Sequence, residues 1–284
     1  MTLTHSSTYT LHNGVKIPVL GFGTWQAEDG NVATQAVIDA LNAGYRHIDT
    51  ATRYENEESV GRAIKASGIK REDIFLTTKA WNDTHTYEDA KEKLAASLKA
   101  LDTDYIDLYM IHWPNPVSAR DFWEVRNQEV WRYLEDAYEA GLVRAIGVAN
   151  FHERHFESLK KTARILPMVN QIYLSPSDEQ EEIVAYNQAH NIATQAYSPL
   201  GTGTLLSLKE LKEIASKYNK TPAQIAIRWS LQKGFIPLPK SVTPARIKEN
   251  FDVFDFEITD EDMATLNTLK GLANVSKNPD ETTH

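Results

Sequence analysis

Residues 105–112 read YIDLYMIH, an apolar run that ends in a histidine. A run of this kind, without strict polar alternation, is typical of a strand buried on both faces of a parallel sheet. Similar runs occur at Val19–Gly23, His47–Thr50, Ile74–Lys79, Val143–Asn150, Met168–Ile172, Ile192–Tyr197 and Phe235–Lys240. Segments with helical spacing separate them. Eight strand–helix units in about 250 residues predict an α/β protein with a (β/α)8 architecture, the TIM barrel.

No boundary divides the chain into domains. It has 284 residues with no Pro/Ser-rich linker and no block of like charge, so we predict a single domain over residues 1–284. An Asn-Gly turn at residues 13–14 predicts a short β-hairpin ahead of the barrel. A doubly wound sheet is the alternative fold. Residues 21–26 read GFGTWQ, however, and lack the third glycine of the G-x-G-x-x-G dinucleotide-binding pattern.

Polar residues stand at the ends of the predicted strands. They are Asp49, Lys79, His112, Asn150, Gln171, the pair Tyr197-Ser198 and the pair Lys240-Ser241. Because the carboxyl ends of the strands form the active-site face of a (β/α)8 barrel, we expect these side chains to meet at one mouth.

The residue types at this mouth indicate a particular chemistry. Tyr54 follows Asp49 closely enough to join it, and an ammonium such as Lys79 beside the phenol is expected to lower the phenol's pKa. A neutral imidazole from His112 could hold a carbonyl oxygen where negative charge develops. The set predicts protonation of a carbonyl oxygen while another group attacks the carbon.

Composition excludes several classes of function. The chain carries 30 Lys+Arg against 39 Asp+Glu, a net charge of −9, so no overall attraction to nucleic acid or anionic membranes is expected. There is no cysteine, no signal-peptide pattern and no long apolar run, which favours a cytoplasmic protein. His152 and His155 have a metal-like spacing but no third ligand nearby. We therefore expect no metal and an exposed helical turn there.

Several separated motifs resemble the aldo-keto reductase family. They are residues 44–51 (GYRHIDTA) with 54–57 (YENE), 77–79 (TTK), 111–114 (IHWP), and 239–242 (PKSV) with Arg246 and residues 249–250 (EN). The resemblance covers residues 11–269 and is most similar to the short bacterial branch that includes 2,5-diketo-D-gluconic acid reductases. It implies an NADPH-dependent reductase of aldehydes and ketones. In this reaction Tyr54 would donate the proton, Lys79 and Asp49 would tune Tyr54 as the acid, and His112 would orient the carbonyl.

The resemblance also implies a set of cofactor-binding residues. They are Thr24, Trp25, Asn150, Gln171, Tyr197, Ser198, Leu200, Gly201, Thr202, Lys240, Ser241, Val242, Thr243, Arg246, Glu249 and Asn250. Asn150 and Gln171 would bind the nicotinamide carboxamide, Tyr197 would stack on its ring, and the residues from Lys240 onward would hold the adenosine end. The chain departs from the family pattern at Ala149, where serine is usual, and at residues 173–176 (YLSP).

Substrate contacts are expected from Trp25, Trp81 and Trp113, each of which follows a strand end. Members of the family with a long carboxyl-terminal loop use it to wall the pocket. Because the segment after residue 269 is short here, the resemblance implies an open mouth and a broad range of aldehydes, α-dicarbonyls and keto acids or esters. We expect a monomer that acts on small molecules. The alternatives are a Schiff-base aldolase that uses Lys79, and a non-catalytic, cofactor-sensing barrel.

Overall fold

The computed structural model describes residues 3–284, whose strands form a hairpin and one eight-stranded parallel sheet. The strands are β1 (Thr8–Thr10), β2 (Lys16–Pro18), β3 (Phe22–Gly23), β4 (His47–Asp49), β5 (Phe75–Ala80), β6 (Ile106–Ile111), β7 (Val143–Ala149), β8 (Val169–Tyr173), β9 (Ala193–Tyr197) and β10 (Ile236–Leu238). The order in the large sheet follows the chain from β3 to β10. Every one of the predicted strands is present.

Helices surround the sheet. They are α1 (Asn31–Ala43), α2 (Glu57–Ala66), α3 (Tyr87–Ala100), α4 (Trp123–Glu139), α5 (Glu153–Leu159), α6 (Glu181–Ala189), α7 (Lys209–Lys217), α8 (Pro222–Gln232), α9 (Pro244–Phe251) and α10 (Asp260–Asn267). Local signals explain where the helices begin and end. At the start of α8 the Thr221 side chain accepts from the Gln224 N–H and the Gln224 side chain accepts from the Thr221 N–H, which is a capping box. Gly44 ends α1 in the left-handed conformation, with a φ of 115°. None of the helices in residues 3–284 is long and apolar enough to cross a membrane.

The sheet closes between its first and last strands. The N–H of Gly21 donates to the Pro237 carbonyl and that of Gly23 to the Pro239 carbonyl, each at 3.0 Å. A Cβ at Gly21 would lie 2.5 Å from a Leu238 side-chain carbon and 2.7 Å from Nδ1 of the buried His47 ring, so a larger residue here would require both side chains to move. The predicted barrel is therefore confirmed.

The predicted hairpin is also confirmed, and it lies at the amino-terminal end of the barrel. Asn13 donates to the Arg144 carbonyl at 3.0 Å, and His12 contacts the Pro167 carbonyl, next to the starts of β7 and β8. Ile17, in β2, is fully buried against the barrel core. The opposite end of the barrel carries the polar strand ends.

Candidate active site

The carboxyl ends of the strands open into one large cleft of about 1440 Å³. Most of the residues predicted for the site line it: Trp25, Asp49, Tyr54, Trp81, His112, Trp113, Asn150, Gln171, Tyr197, Ser198, Leu200, Thr202, Lys240, Ser241, Arg246, Glu249 and Asn250. The predicted residues that do not line it are Thr24, Lys79, Gly201, Val242 and Thr243. The convergence follows from the register of the parallel strands, which ends them all at one edge.

Lys79 lies beneath the cleft floor and is completely buried at the end of β5. Its ammonium donates to Asp49 Oδ1 at 2.7 Å, to the Thr50 carbonyl at 2.9 Å and to the Tyr54 hydroxyl at 3.4 Å. Burial lowers the pKa of Lys79, while Asp49 opposes that change. Three acceptors around a side chain that does not reach the cleft orient Lys79 toward the phenol and make it a poor nucleophile for a substrate.

Tyr54 stands on a short 3-10 turn (Thr52–Tyr54) directly after β4. Burial raises the pKa of its phenol well above 10, and the Asp49 carboxylate raises it further. The expected lowering of the phenol pKa by the ammonium is therefore wrong. Loss of solvation outweighs the attraction of Lys79, whose charge is already balanced by Asp49. The phenol keeps its proton near neutral pH.

His112 follows β6 and faces Tyr54, with ring centroids 5.8 Å apart. Its Nδ1 is buried without a hydrogen-bond partner among residues 3–284. Burial lowers the pKa of His112 well below 6.5, and the nearby Lys79 charge lowers it further. The imidazole is thus neutral, as the predicted chemistry requires.

Gln171, in β8, links the strand ends across the barrel. Its Nε2 donates to Asp49 Oδ2 at 2.8 Å and to Gln195 Oε1 at 2.9 Å. Both amide hydrogens are therefore engaged, which leaves the Gln171 side-chain oxygen as an acceptor.

Asn150 supplies a hydrogen-bond donor beside the Gln171 acceptor. Its Oδ1 accepts from the Tyr197 hydroxyl at 2.9 Å, and its Nδ2 donates one hydrogen to the His112 carbonyl at 3.0 Å. The second amide hydrogen is left over. The Asn150 N–H bonds the Gln171 carbonyl at 2.9 Å, so the two side chains start from adjacent backbone. A donor next to an acceptor fits a primary carboxamide, which is the polar group of nicotinamide.

Basic groups at the other end of the cleft fit a phosphate. Arg246 is exposed in the first turn of α9 and forms no ion pair among the described residues. Glu249, three residues further along the same helix, accepts a hydrogen bond from the Thr221 hydroxyl at 2.8 Å and does not pair with Arg246. Ser241 lines the same region, and Lys240 donates to the Gln26 carbonyl at 3.0 Å. An unpaired guanidinium beside a helix start is suited to an anionic group.

The predicted residues outside the cleft have other surroundings. Thr24 is fully buried and donates to the Asp49 carbonyl at 3.0 Å, so it supports the floor from below. Val242 is exposed, and the Thr243 N–H donates to the Ser241 hydroxyl at the start of α9. Gly201 packs against Leu205.

Arg126 is a buried residue that the sequence patterns did not single out. This α4 side chain donates to the carbonyls of Thr84 at 2.8 Å, Trp113 at 2.7 Å and Trp81 at 3.4 Å. It has no carboxylate within 4.0 Å among residues 3–284, and burial lowers its pKa to about 10. Arg126 thus holds together the two loops that carry cleft tryptophans.

Two expectations are wrong. The terminal segment does not leave the mouth bare, because Ala273, Asn274, Val275, Ser276, Lys277 and His284 line the cleft. His155 is not exposed either: it is fully buried in α5 and contacts Asp280 at 3.0 Å. Both errors have one cause, since the segment after α10 folds back onto α5 and the cleft. Among residues 3–284, no group of three His, Cys, Asp or Glu side chains is arranged to hold a metal.

Comparison with known proteins identifies the family of this chain. The profile of the Aldo/keto reductase family matches residues 19–270. The chain belongs to this family. It is 46% identical over 274 residues to a glyoxal reductase of Bacillus subtilis, covering 96% of each chain. It is 43% identical over 273 residues to a methylglyoxal reductase of Escherichia coli, covering 95% of this chain and 96% of that one.

A solved aldo-keto reductase of Bombyx mori in complex with NADP superimposes with a TM-score of 0.85 at 37% identity, covering 95% of this chain and 94% of that one. This aldo-keto reductase is accordingly an NADP(H)-dependent oxidoreductase that reduces carbonyl groups, which confirms the predicted reaction class and cofactor. Neither the aldolase nor the cofactor-sensing alternative is favoured.

Proposed function

We propose that this aldo-keto reductase reduces small aldehydes and ketones, in particular α-dicarbonyls and keto acids or esters, to alcohols. The observation that carries the proposal is the buried chain from Asp49 through Lys79 to Tyr54, which ends beside the neutral His112 in an indole-lined cleft. Two bacterial relatives are a glyoxal reductase and a methylglyoxal reductase, which supports the dicarbonyl class.

Tyr54 is proposed as the proton donor. Its raised pKa keeps the proton on the phenol until a carbonyl oxygen gains negative charge. When the proton leaves, the Lys79 ammonium at 3.4 Å stabilises the phenolate oxygen, and Asp49 holds that ammonium in place.

His112 is proposed to orient the substrate. A neutral imidazole donates a hydrogen bond to the carbonyl oxygen without competing with Tyr54 as an acid. Trp25, Trp81 and Trp113 line the space around this point and are proposed to hold the apolar part of the substrate.

NADPH supplies a hydride to the carbonyl carbon when it is bound. We propose that Asn150 and Gln171 hold its carboxamide through the free donor and acceptor described above. Tyr197, bonded to Asn150, would stack on the ring and select its face. Ser198, Leu200, Gly201 and Thr202 would line the pyrophosphate.

The adenosine end is proposed to lie against the residues after β10, namely Lys240, Ser241, Val242, Thr243, Arg246, Glu249 and Asn250. The 2′-phosphate carries about −1.5 to −2 charges, as a phosphomonoester does near neutral pH, and Arg246 with Ser241 matches it in charge and donors. Trp25, which lines the cleft after β3, is proposed to approach the cofactor, and the buried Thr24 is proposed to act on it only indirectly, by supporting the cleft floor through the Asp49 carbonyl.

A kinetic panel tests the function. Purified protein is assayed for NADPH oxidation with methylglyoxal, phenylglyoxal, a keto ester, a keto acid and a simple aromatic aldehyde. We expect turnover with several classes and the highest kcat/KM for α-dicarbonyls. Turnover of a single substrate, or of none, would contradict the proposal.

We further propose that the protein acts as a monomeric single domain in the cytoplasm, on small molecules and not on nucleic acid. The net charge of −9 supports the last point, because an acidic chain repels polyanions. Sedimentation at several protein concentrations checks the monomer, and a concentration-dependent mass would contradict it.

A further inference from the structure

Asn56, two residues after Tyr54, carries a completely buried amide that the proposed reaction does not use. It stands directly before α2, where an asparagine side chain commonly caps the first N–H groups of a helix. The Asn56 side chain forms no such cap, although the Asn56 carbonyl accepts the Val60 N–H of the first helical turn. The side chain bonds to residues beneath the cleft floor instead.

Three hydrogen bonds engage the Asn56 amide. Its Nδ2 donates to the Thr24 carbonyl and to the Ala27 carbonyl, each at 3.0 Å. Its Oδ1 accepts from the Thr50 hydroxyl at 2.8 Å. Because the two carbonyls can only accept, the orientation of the amide is fixed, with Nδ2 toward the loop after β3 and Oδ1 toward the end of β4.

These bonds close a ring around the strand end that carries Asp49. The Thr24 N–H and the Thr24 hydroxyl both donate to the Asp49 carbonyl, each at 3.0 Å, and Thr50 follows Asp49 in the chain. Asn56 then joins Thr50 back to Thr24. The ring therefore fixes the backbone of Asp49 and Thr50 against the loop after β3.

The ring contains two of the three acceptors of Lys79. The ammonium donates to Asp49 Oδ1 at 2.7 Å and to the Thr50 carbonyl at 2.9 Å, whereas the Tyr54 hydroxyl lies at 3.4 Å. A single residue separates Tyr54 from Asn56 in the chain. Asn56 thus lies where the segment that carries the proposed acid meets the strand end that holds the ammonium.

The residue after Asn56 secures the other side of this segment. The Glu57 carboxylate accepts from the Thr78 hydroxyl at 2.5 Å and from the Ser97 hydroxyl at 3.2 Å, and all three residues are buried. Thr78 precedes Lys79 in β5, and Ser97 lies in α3. The start of α2 is therefore fixed independently of Asn56, so removal of the Asn56 amide should open the ring without releasing the helix.

We propose that Asn56 is a positioning residue for the proton donor. By joining the end of β4 to the loop after β3, it keeps the Lys79 ammonium within reach of the Tyr54 hydroxyl. This inference rests on the proposed function, because it takes Tyr54 as the acid. Without the ring, Asp49 and Thr50 can carry the ammonium away from the phenol, and the phenolate left after proton transfer loses its stabilising charge.

The first test separates kcat from KM in variants of the full chain, with kcat expressed per NADPH-binding site counted by fluorescence titration. In Asn56→Ala, kcat for methylglyoxal should fall about 10- to 100-fold, because a small misplacement at the reacting groups costs about that factor. KM for methylglyoxal and Kd for NADPH should stay within about threefold of the wild type, since Asn56 does not line the cleft. An unchanged kcat per site would overturn the proposal.

Two variants of Thr50 then separate the ring from the loop after β3. Thr50→Val has nearly the same shape but cannot donate to Asn56 Oδ1, and it leaves both Nδ2 bonds to the loop in place. It should lower kcat as Asn56→Ala does. Thr50→Ser retains the hydroxyl and should recover most of the wild-type kcat. A Ser variant as slow as the Val variant, or a Val variant as fast as the wild type, would overturn the role of the ring.

Asn187→Ala is the matched control for a loss of stability. Asn187, in α6, is as completely buried as Asn56, and its amide bonds the side chains of Asn170 and Thr194. This variant should lose stability as Asn56→Ala does, with kcat per NADPH-binding site unchanged. A loss of kcat in the control equal to that in Asn56→Ala would show that destabilisation alone explains the effect.

A spectroscopic measurement distinguishes failure of this inference from failure of the proposed function. In protein labelled with ¹³C at the tyrosine Cζ, the NMR signal of Tyr54 is identified by its absence in Tyr54→Phe. The signal should shift in Asn56→Ala and Thr50→Val, because the distance from the phenol to the ammonium changes. It should not shift in Thr50→Ser or Asn187→Ala. An unshifted signal in Asn56→Ala would overturn the positioning role. If the wild type oxidises NADPH with none of the aldehydes, the proposed function fails, while the NMR signal still decides whether Asn56 positions Tyr54.

Discussion

The Lys79 ammonium lies 3.4 Å from the Tyr54 hydroxyl and 2.7 Å from Asp49 Oδ1 in a site without solvent access to the lysine. The lysine thus has a full set of acceptors before any substrate arrives. The ammonium has three acceptors, namely Asp49, the Thr50 carbonyl and the Tyr54 hydroxyl. The contact with the Tyr54 hydroxyl is the longest of these and can shorten when the phenol becomes an anion.

Tyr54→Phe removes the proposed proton donor and retains the ring. We expect kcat to fall by about 100- to 10,000-fold, because positioned general-acid catalysis contributes about that factor. NADPH affinity, measured by fluorescence titration, should change little, since the proposed carboxamide contacts come from β7 and β8. Retention of more than about a tenth of the wild-type kcat would show that another group is the acid.

Arg246→Ala tests the proposed phosphate contact. NADPH binding should weaken by about 10- to 100-fold, because a charge-assisted contact contributes about 1.5–3 kcal/mol, whereas NADH lacks the 2′-phosphate and should bind almost unchanged. Lys248→Ala, on the same helix and also exposed, is the control. Equal losses for NADPH and NADH would remove Arg246 from the phosphate site without affecting the catalytic proposal.

His155 makes the stability depend on pH. Burial lowers its pKa from 6.5 to about 4, so between these values the unfolded chain binds a proton that the folded protein does not. The stabilisation is complete above pH 6.5 and is lost as the pH falls toward 4. The free energy of unfolding should decrease by up to about 1.4 kcal/mol per pH unit from this residue.

Urea unfolding at several pH values checks this dependence. His155→Gln should flatten the slope relative to the wild type. His47, with a pKa lowered to about 3 by burial, maintains part of the slope in both proteins. An equal slope in His155→Gln and wild type would contradict the assignment.

Arg126→Met leaves the carbonyls of the two tryptophan loops without their donor. We expect the free energy of unfolding to fall by about 1–3 kcal/mol, as for a buried acceptor left unsatisfied. Arg132→Met, on the same helix with its side chain 57% exposed, should change it by less than about 0.5 kcal/mol. A stability in Arg126→Met equal to that of the control would show that these bonds do not support the loops.

The barrel and the meeting of its strand ends could be predicted because both depend on local pattern. Each apolar run specifies a strand, and parallel order brings the polar ends of β4, β5 and β6 to one edge. The direction of the Tyr54 pKa could not be predicted, because it depends on how far burial outweighs the Lys79 charge.

The place of the terminal segment along the cleft was missed for a different reason. Asp280 contacts Asn115, Arg154 and His155, which are more than 120 residues earlier in the chain, and no periodic pattern connects such positions. In the sequence, a single acidic residue in a polar segment cannot be distinguished from a residue on a solvated surface. Only the folded arrangement shows that it is enclosed by donors.

The two-sided anchoring of Asn274 limits how this enzyme can be re-engineered. The residue is bonded on one side to Gly201 and Thr202, next to the proposed pyrophosphate contacts, and on the other to Tyr173 and Ser177. A chimera that exchanges the 271–284 segment alone would leave the hydroxyls of Tyr173 and Ser177 facing a foreign backbone. Segment exchange between related reductases should therefore move these three pieces of chain as one module.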